Sequence, residues 1–560
     1  MLNKDDITKI KSEKDDWIKK MGCQQDAEIF HATPSGIKIK NLYTPEDVSN
    51  LDYLKDLGFP GSYPYIRGVY PTMYRGRPWT IRMFSGFATP EETNERWKML
   101  LDSGETGFSA AVDVLTFNGT DPDTPGVDAD VEVGTSGVPL YSIKGVEALV
   151  KDLPIKDISV ALVTEPMTAV GLTSMYFNVA KNKGVPLSQV AGTTQNDLGT
   201  MTIGYITYDS LRPDKLLKLA CDMIEYCTAM KQAPKWNPIN FTTYNYREGG
   251  INAVQEIAFG FTNAIDHIEE MLRRGWKIDD FASRLAFHLS ADRNFFEEIA
   301  KYRAARRIWA KILTEKYGAK DPRSIIMKYH VQTAGSSLTA KQPLVNIART
   351  AIQALEAVLG GCQSLHTNSY DEAICLPSEE AVKIAVKTQQ VVMEETGVVN
   401  TIDPLAGSYY IEWLTNEIEK RILNYMQEIE NQGGFVKSLN NGWLFNEMSK
   451  AFNERQKAIV EGKERVIGVN CHLDEEKERP IPFKTNPWAA DVEKERLRKL
   501  RSERNNQRVA TLLDQLRRDC AQNKNVMPTV MELTAEGATL GEITRVYREI
   551  WGIWELPIAI

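Results

Sequence analysis

The stretch Tyr70–Phe87, "YPTMYRGRPWTIRMFSGF", decides how the rest of the chain is read. Its second half alternates as a β-strand does, yet it carries hydroxyls, arginines and aromatics where a buried strand carries Val, Ile and Leu. A strand of this kind either meets solvent or lines an enclosed polar interior. Only its neighbours can decide between the two.

Working outward, seven more short extended stretches follow: "GFSAAVDV" from Gly107, "ISVALVTE" from Ile158, "QVAGTTQN" from Gln189, "PINFTTYN" from Pro238, "RLAFHLSA" from Arg284, "SIIMKYHVQT" from Ser324 and "CQSLHTNS" from Cys362. Between them lie amphipathic patterns such as "PEETNERWKMLLDSG" from Pro90, "PDKLLKLACDMIEYCTAM" from Pro213 and "LVNIARTAIQALEAVLGG" from Leu344, several closed by Gly or a basic residue. Eight strand–helix units predict an α/β fold, a (β/α)8 TIM barrel over residues 61–400, long for the class but within the range that insertions reach. Residues 1–60 read as a helix and an extended N-terminal arm of the kind that wraps a partner subunit. Residues 401–560 read as a helical C-terminal region. Within it the charge-mixed tract Asp491–Asp519 is expected to form a surface or partner-docking helix, because acids interleave with its bases.

The strand composition is unusual for a barrel, whose interior is normally filled by branched apolar side chains. Ser109, Ser159, Thr193, Thr194, Asn240, Thr242, Gln332, Ser364 and Thr367 all fall within the candidate strands, and strict alternation turns some of them inward. A buried hydroxyl or amide without a partner costs about 1–3 kcal/mol. An interior rich in them therefore calls for a polar occupant, unless these residues sit on strand ends and loops.

Composition narrows the function classes. The 560 residues are 42% hydrophobic and 25% charged, as in an ordinary globular protein. A net charge of −8 argues against a dominant nucleic-acid or anionic-membrane footprint. No apolar run approaches the roughly 20 residues of a membrane span, and "MLNKDDITKIKSEKDDW" is too charged for a signal peptide, so a cytoplasmic location is expected. The seven cysteines form no C-x-x-C pair, which suggests neither a disulfide framework nor a metal site.

Six blocks carry a family resemblance: "YPTMYRGRPWTIRMFSGF", "AGTTQND", "APKWNPI", "FFEEIAKYRAARRIWAKI", "QSLHTNSYDEAICLP" and "IDPLAGSYYIEWLT". In this order, over roughly residues 52–471, they resemble the large-subunit or catalytic region of adenosylcobalamin-dependent acyl-CoA mutases, the methylmalonyl-CoA and isobutyryl-CoA mutase family. The resemblance implies a barrel threaded by the pantetheine chain of coenzyme A, and a radical rearrangement of the acyl carbon skeleton. That answers the opening question, since the strand would then hold coenzyme A. In this family cobalamin sits in a domain marked by D-x-H-x-x-G, and none of the six histidines here has Asp two positions before it. The resemblance thus implies that adenosylcobalamin is held mainly by a separate small subunit, in a heterotetramer of two large and two small chains.

Carried over residue by residue, Tyr70, Thr72, Met73, Thr80, Arg82 and Thr193 match positions contacting coenzyme A or the substrate end, as do Arg284, His330 and Gln332. Gln195 matches a glutamine near the thioester. Asn368 and Glu372 match positions on the cofactor side. Departures cluster at the acyl group: Phe84 stands where methylmalonyl-CoA mutase has tyrosine, Val112 replaces a bulky aromatic, and Tyr205 stands where an arginine would clamp a free carboxylate. Asn245 replaces the histidine that hydrogen-bonds the thioester carbonyl; it can donate but cannot become cationic. These departures imply an isomerase acting on a monocarboxylic acyl-CoA, isobutyryl-like, hydroxylated or bulkier, with Gln195, Asn245, Phe84 and Tyr205 as the residues nearest the chemistry. A catalytically silent acyl-CoA-binding or assembly subunit is the alternative.

Overall fold

The computed structural model of the chain describes residues 4–20, 31–105, 107–200, 209–474 and 486–555. Its centre is a ring of parallel strands: β1 (Thr80–Ser85), β2 (Gly107–Ala111), β3 (Ser159–Val163), β4 (Ala191–Thr194), β5 (Trp236–Asn237 with Ile239–Thr242), β6 (Leu285–Ala291), β7 (Tyr329–Thr333) and β8 (Ser364–His366). Each pairs with the next, and Ser364 of β8 pairs with Thr80 of β1, which closes the ring. Pro238 splits β5 because proline offers no N–H to the ladder. The first piece pairs with β4 and the second with β6. All eight expected strands are present. Several are shorter than their sequence pattern, as where "CQSLHTNS" contributes only Ser364–His366.

A helix follows every strand: α1 (Pro90–Asp102), α2 (Ile143–Leu149), α3 (Pro166–Asn182), α4 (Pro213–Ile224), α5 (Ala253–Arg273), α6 (Phe295–Lys311), α7 (Val345–Gly360) and α8 (Glu379–Glu394). Their ends obey local chemistry. Thr89 accepts from the Glu92 amide to start α1, and Asn252 accepts from the Val254 and Gln255 amides to start α5. Gly361, at φ +90°, takes the left-handed turn that ends α7.

The helices explain which strand face is buried. Ile81 and Met83 of β1 pack with Leu100, Val382, Ala385 and Val386 in the helix layer, and Phe108 of β2 stacks on Trp97 at 4.9 Å. Thr80, Arg82 and Phe84 consequently face the barrel axis. In β1, β3 and β4 the axis-facing residues are only half-buried, whereas outward-facing Ile81, Met83, Val160, Leu162, Gly192 and Thr194 are buried. Along these three strands the interior is the more accessible face, the reverse of a filled barrel.

Two of the polar strand residues lie on the other face. Thr194 Oγ1 is 2.8 Å from Thr173 Oγ1 on α3 and accepts from Trp236 Nε1 at 2.9 Å, while Thr367 Oγ1 donates to the Ala385 carbonyl at 2.7 Å. Their hydroxyls satisfy the helix layer. Among the described residues, no helix is long and apolar enough to cross a membrane.

The tract Asp491–Asp519 forms two helices, Ala489–Glu503 and Asn506–Ala521, separated where Asn505 caps the Arg508 amide. Leu497 and Leu500 pack against Leu115, Ala129 and Tyr141, and Val509, Leu512 and Leu516 join the main core. This chain itself covers most of the apolar side of the tract, and the outward faces are mainly charged, with Val492 the exposed apolar residue.

Gly192 tests the packing between β4 and its outer layer. A Cβ there would lie 2.2 Å from Trp236 Cζ3 and 2.4 Å from the Val160 carbonyl oxygen. Gly192→Ala is expected to destabilise by about 1–3 kcal/mol, read as a fall of several degrees in the thermal unfolding midpoint. An unchanged midpoint would contradict this packing.

Candidate active site

The two mouths of the barrel differ in charge. At the N-terminal ends of the strands, Arg284 precedes β6 and Lys328 precedes β7, with Arg323 nearby. Burial, reinforced by Arg284 and Arg323, pushes the Lys328 ammonium down to about 8. Convergent cations of this kind suit phosphate groups. Tyr70 and Thr72 are exposed on the segment before β1. Met73 is placed differently, buried with its side chain over Gly68 and Gly361, where it packs more than it presents.

Inside the barrel, Arg82 donates to the Phe108 carbonyl at 2.7 Å, the Ser159 carbonyl at 3.3 Å and Ser159 Oγ at 2.9 Å. Gly107 makes room for it, since a Cβ there would lie 2.8 Å from Arg82 Nη2. Burial lowers this guanidinium to about 10, so it stays cationic at neutral pH. Thr193 Oγ1 accepts from Asn237 Nδ2 at 3.2 Å, and His330 Nδ1 hydrogen-bonds Ser364 Oγ at 2.8 Å.

Further along the axis three imidazoles surround the Phe84 ring: His288 at 5.5 Å, His330 at 5.9 Å and His366 at 5.1 Å between ring centroids. His366 Nδ1 accepts from the Phe84 amide at 3.0 Å. Burial holds all three well below the usual histidine range, His288 and His366 at about 3, so they are neutral.

Beyond β4 and β5 the two residues expected at the thioester meet. Gln195 Nε2 and Asn245 Nδ2 each lie 3.4 Å from Thr200 Oγ1. Their loop is fixed by buried Asp197, which accepts from the Gly199 and Thr242 amides at 2.8 and 2.6 Å, Tyr246 Oη at 2.9 Å and Asn263 Nδ2 at 2.7 Å.

At the C-terminal mouth, Gln332 Nε2 donates to Asn368 Oδ1 at 3.2 Å, and Asn368 Nδ2 to the Thr333 carbonyl at 2.8 Å. The Tyr244 phenol accepts from the Gly335 amide at 3.3 Å and stands near Glu248 and Glu372. Burial raises Glu248 to about 8 and, with Asp371 beside it, Glu372 to about 7. Tyr205 lies outside the described residues.

Comparison with known proteins follows this geometry. The methylmalonyl-CoA mutase family matches residues 32–553. The 2-hydroxyisobutanoyl-CoA mutase large subunit of Aquincola tertiaricarbonis is 39% identical over 98% of both chains. Methylmalonyl-CoA mutases of Cereibacter sphaeroides and, in mitochondria, Homo sapiens are 38% and 35% identical, over 93% and 95% of this chain and 72% and 70% of their own. The chain belongs to the methylmalonyl-CoA mutase family. It is an isomerase of the intramolecular-transferase class.

Within this family member, sequence reading brought out Gln195, Asn245, Phe84, Gln332 and Asn368 but passed over His288, His366, Tyr244, Glu248 and Lys328. His288 carried a signal in the alternation of "RLAFHLSA", which puts it on the opposite face from Phe287 and Leu289.

The neutral histidines set a pH dependence. Unfolded-chain histidines take up protons below about 6.5, whereas folded His288 does so only near 3. Its contribution to stability is complete above about 6.5 and is lost as pH falls toward 3. Between pH 7 and pH 5 the thermal midpoint of His288→Phe should therefore fall less than that of the wild type. An equal or larger fall would show that His288 is not held neutral.

Proposed function

We propose that the chain is the large subunit of an adenosylcobalamin-dependent acyl-CoA mutase that rearranges a monocarboxylic acyl-CoA, isobutyryl-like, hydroxylated or bulkier. One observation carries this reading: in β1, β3 and β4 the axis-facing side chains, among them Thr80, Arg82, Ser159 and Thr193, remain more accessible than the outward-facing ones. A pantetheine arm needs such a passage. The basic N-terminal mouth, with Arg284 and Lys328, suits the phosphates of coenzyme A, and Thr80, Arg82, Thr193 and Ser159 offer hydrogen bonds along the way.

The opposite mouth fits a large polar cofactor. A Cβ on Gly335 would lie 3.2 Å from both Asn368 Nδ2 and Glu248 Oε2 and 3.3 Å from Tyr244 Oη, so the glycine keeps a cradle open among three polar side chains. Asn368, Glu372, Tyr244 and Glu248 would hold adenosylcobalamin there. When bound, the cofactor supplies the reversible organic radical that exchanges a hydrogen and the thioester-bearing group between neighbouring carbons. A separate small subunit would hold most of it, in a complex of two large and two small chains. The "large subunit" relative, matched over 98% of both chains, supports that division.

The chain's own residues position and seal. Gln195 and Asn245, now directed at the Thr200 hydroxyl, can turn their amide N–H groups to the thioester carbonyl. Both are neutral donors, so polarisation of the carbonyl proceeds without a proton transfer from residue 245. The rings of Phe84, Tyr244 and His288 wall the acyl end against water, which a radical reaction requires.

The test is turnover of an acyl-CoA panel by the chain combined with a cobalamin-binding subunit and adenosylcobalamin. An isomeric product from a branched or hydroxylated monocarboxylic acyl-CoA is expected, with methylmalonyl-CoA and succinyl-CoA turned over at least about 10²-fold more slowly, because the one guanidinium on β1, Arg82, is already engaged by oxygen acceptors. Preferential turnover of methylmalonyl-CoA would overturn the substrate reading.

A further inference from the structure

His288 serves so far only as part of a wall, and its two nitrogens are left without a task. It sits in the middle of β6, opposite Thr242 of β5 and His330 of β7 in the sheet register, and is 2% exposed. Its ring lies between two aromatic faces, Tyr244 at 5.2 Å and 5° and Phe84 at 5.5 Å and 21°. Such a slot fixes the plane of the imidazole.

Both nitrogens, Nδ1 and Nε2, are buried and, among the described residues, neither makes a close hydrogen bond, the Gln332 side chain being the polar group that approaches the ring. His330 and His366 differ, since each has one nitrogen engaged, with Ser364 Oγ and the Phe84 amide respectively. Ser290, two residues along β6 on the same face, also carries a buried hydroxyl without a partner. Unpaired buried polar atoms each cost about 1–3 kcal/mol. A phenylalanine would fill the same slot without that cost. The surroundings locate the group: Tyr244 is adjacent in sequence to Asn245 at the thioester, and Phe84 forms the acyl wall.

The chemistry of the slot selects among ligands. Among the described residues no cluster of His, Cys, Asp and Glu has the geometry to hold a metal ion. A carboxylate would meet neutral imidazoles, and the Arg82 guanidinium is engaged by two carbonyls and a hydroxyl. A hydroxyl suits the site, because it accepts from one tautomer of the imidazole and donates to the other.

We propose that His288 is a specificity-determining residue that hydrogen-bonds a hydroxyl on the acyl chain, which makes the substrate class hydroxyacyl-CoA thioesters rather than their hydrocarbon counterparts. This rests on the acyl-CoA mutase reading and narrows it.

The experiment is calorimetric titration of the full chain with 2-hydroxyisobutyryl-CoA, 3-hydroxybutyryl-CoA, isobutyryl-CoA, butyryl-CoA and free CoA, for the wild type, His288→Phe and His288→Asn. The wild type should bind at least one hydroxyacyl-CoA about tenfold more tightly than its deoxy counterpart. His288→Phe should abolish that preference while binding free CoA as the wild type does, and His288→Asn, which keeps a donor and an acceptor, should restore part of it. If the wild type binds acyl-CoA with no preference for a hydroxyl, or if both variants keep the wild-type ratio, the assignment of His288 fails and the mutase reading stands. If no CoA compound binds at all, the mutase reading itself fails. Should His288→Phe not fold, His288→Asn and the wild-type ratio alone decide.

Discussion

A barrel lined with small polar side chains cannot hold itself together from within, and the rest of this structure answers that constraint. Where a filled barrel stacks branched residues along its axis, this one puts its cohesion outside the sheet. Phe108, Val160, Leu162, Phe241, Phe287, Val331 and Leu365 all face the helices and are at most 1% exposed, each contributing about 1.5–3 kcal/mol by burial. Buried charges add connections that apolar contacts cannot direct. Arg306 on α6 reaches the carbonyls of Tyr65 and Ile66 at 3.0 and 2.6 Å and Tyr329 Oη at 2.7 Å, binding the segment before β1 to β7. Arg303, one residue type and less than one turn away, pairs with Asp403 and Glu412 and fixes α6 to the first C-terminal helix, Tyr409–Asn431. The interior is thereby relieved of a structural duty and left to chemistry.

The loops at the C-terminal ends of the strands inherit their precision from the same shell. Asp197 is the clearest case. Its four donors come from its own loop, from β5, from the helix after β5 and from α5. A neutral amide could not accept all four, because its NH2 would face other donors. Gln195 and Asn245 converge on Thr200 because this carboxylate holds their two chain segments at fixed separation. Displacement of a reacting group by about 1 Å can cost 10²-fold in rate, so an anchor that touches no substrate still governs the geometry of one.

The fold was legible in the sequence because alternation of strand and helix patterns survives polar substitution: Thr, Ser and Arg at axis-facing positions keep the period of two. Strand ends were less legible, since Thr367 and Asn368, which continue the pattern of "CQSLHTNS", are bonded to the helix layer and to the Thr333 hydroxyl on β7 rather than to a ladder. The direction of individual hydroxyls was not legible either. Thr193 and Thr194 are adjacent and chemically identical, and only the positions of Thr173 and Trp236, brought by other elements, show which of them faces outward. Family resemblance located Gln195, Asn245 and Asn368. It gave no reason to look at His288, whose meaning comes from Phe84 and Tyr244, residues that are 204 and 44 positions away in the chain and meet it only in the closed ring.

A neutral amide at position 245 belongs with this neutral lining. A charged donor in a desolvated interior strengthens a hydrogen bond but carries a large solvation cost, which only a nearby opposite charge offsets. Around Phe84 the imidazoles are held neutral by burial, and the one guanidinium on β1 is surrounded by oxygen acceptors. An amide at position 245 can polarise a carbonyl without the solvation cost of a cation. The groups that do titrate near neutrality, Glu248 and Glu372, lie at the C-terminal mouth. Groups that titrate near neutrality thus stand at the ends of the passage, with Lys328 at the N-terminal mouth, while the interior around Phe84 holds neutral imidazoles and one guanidinium whose charge is met by oxygen acceptors.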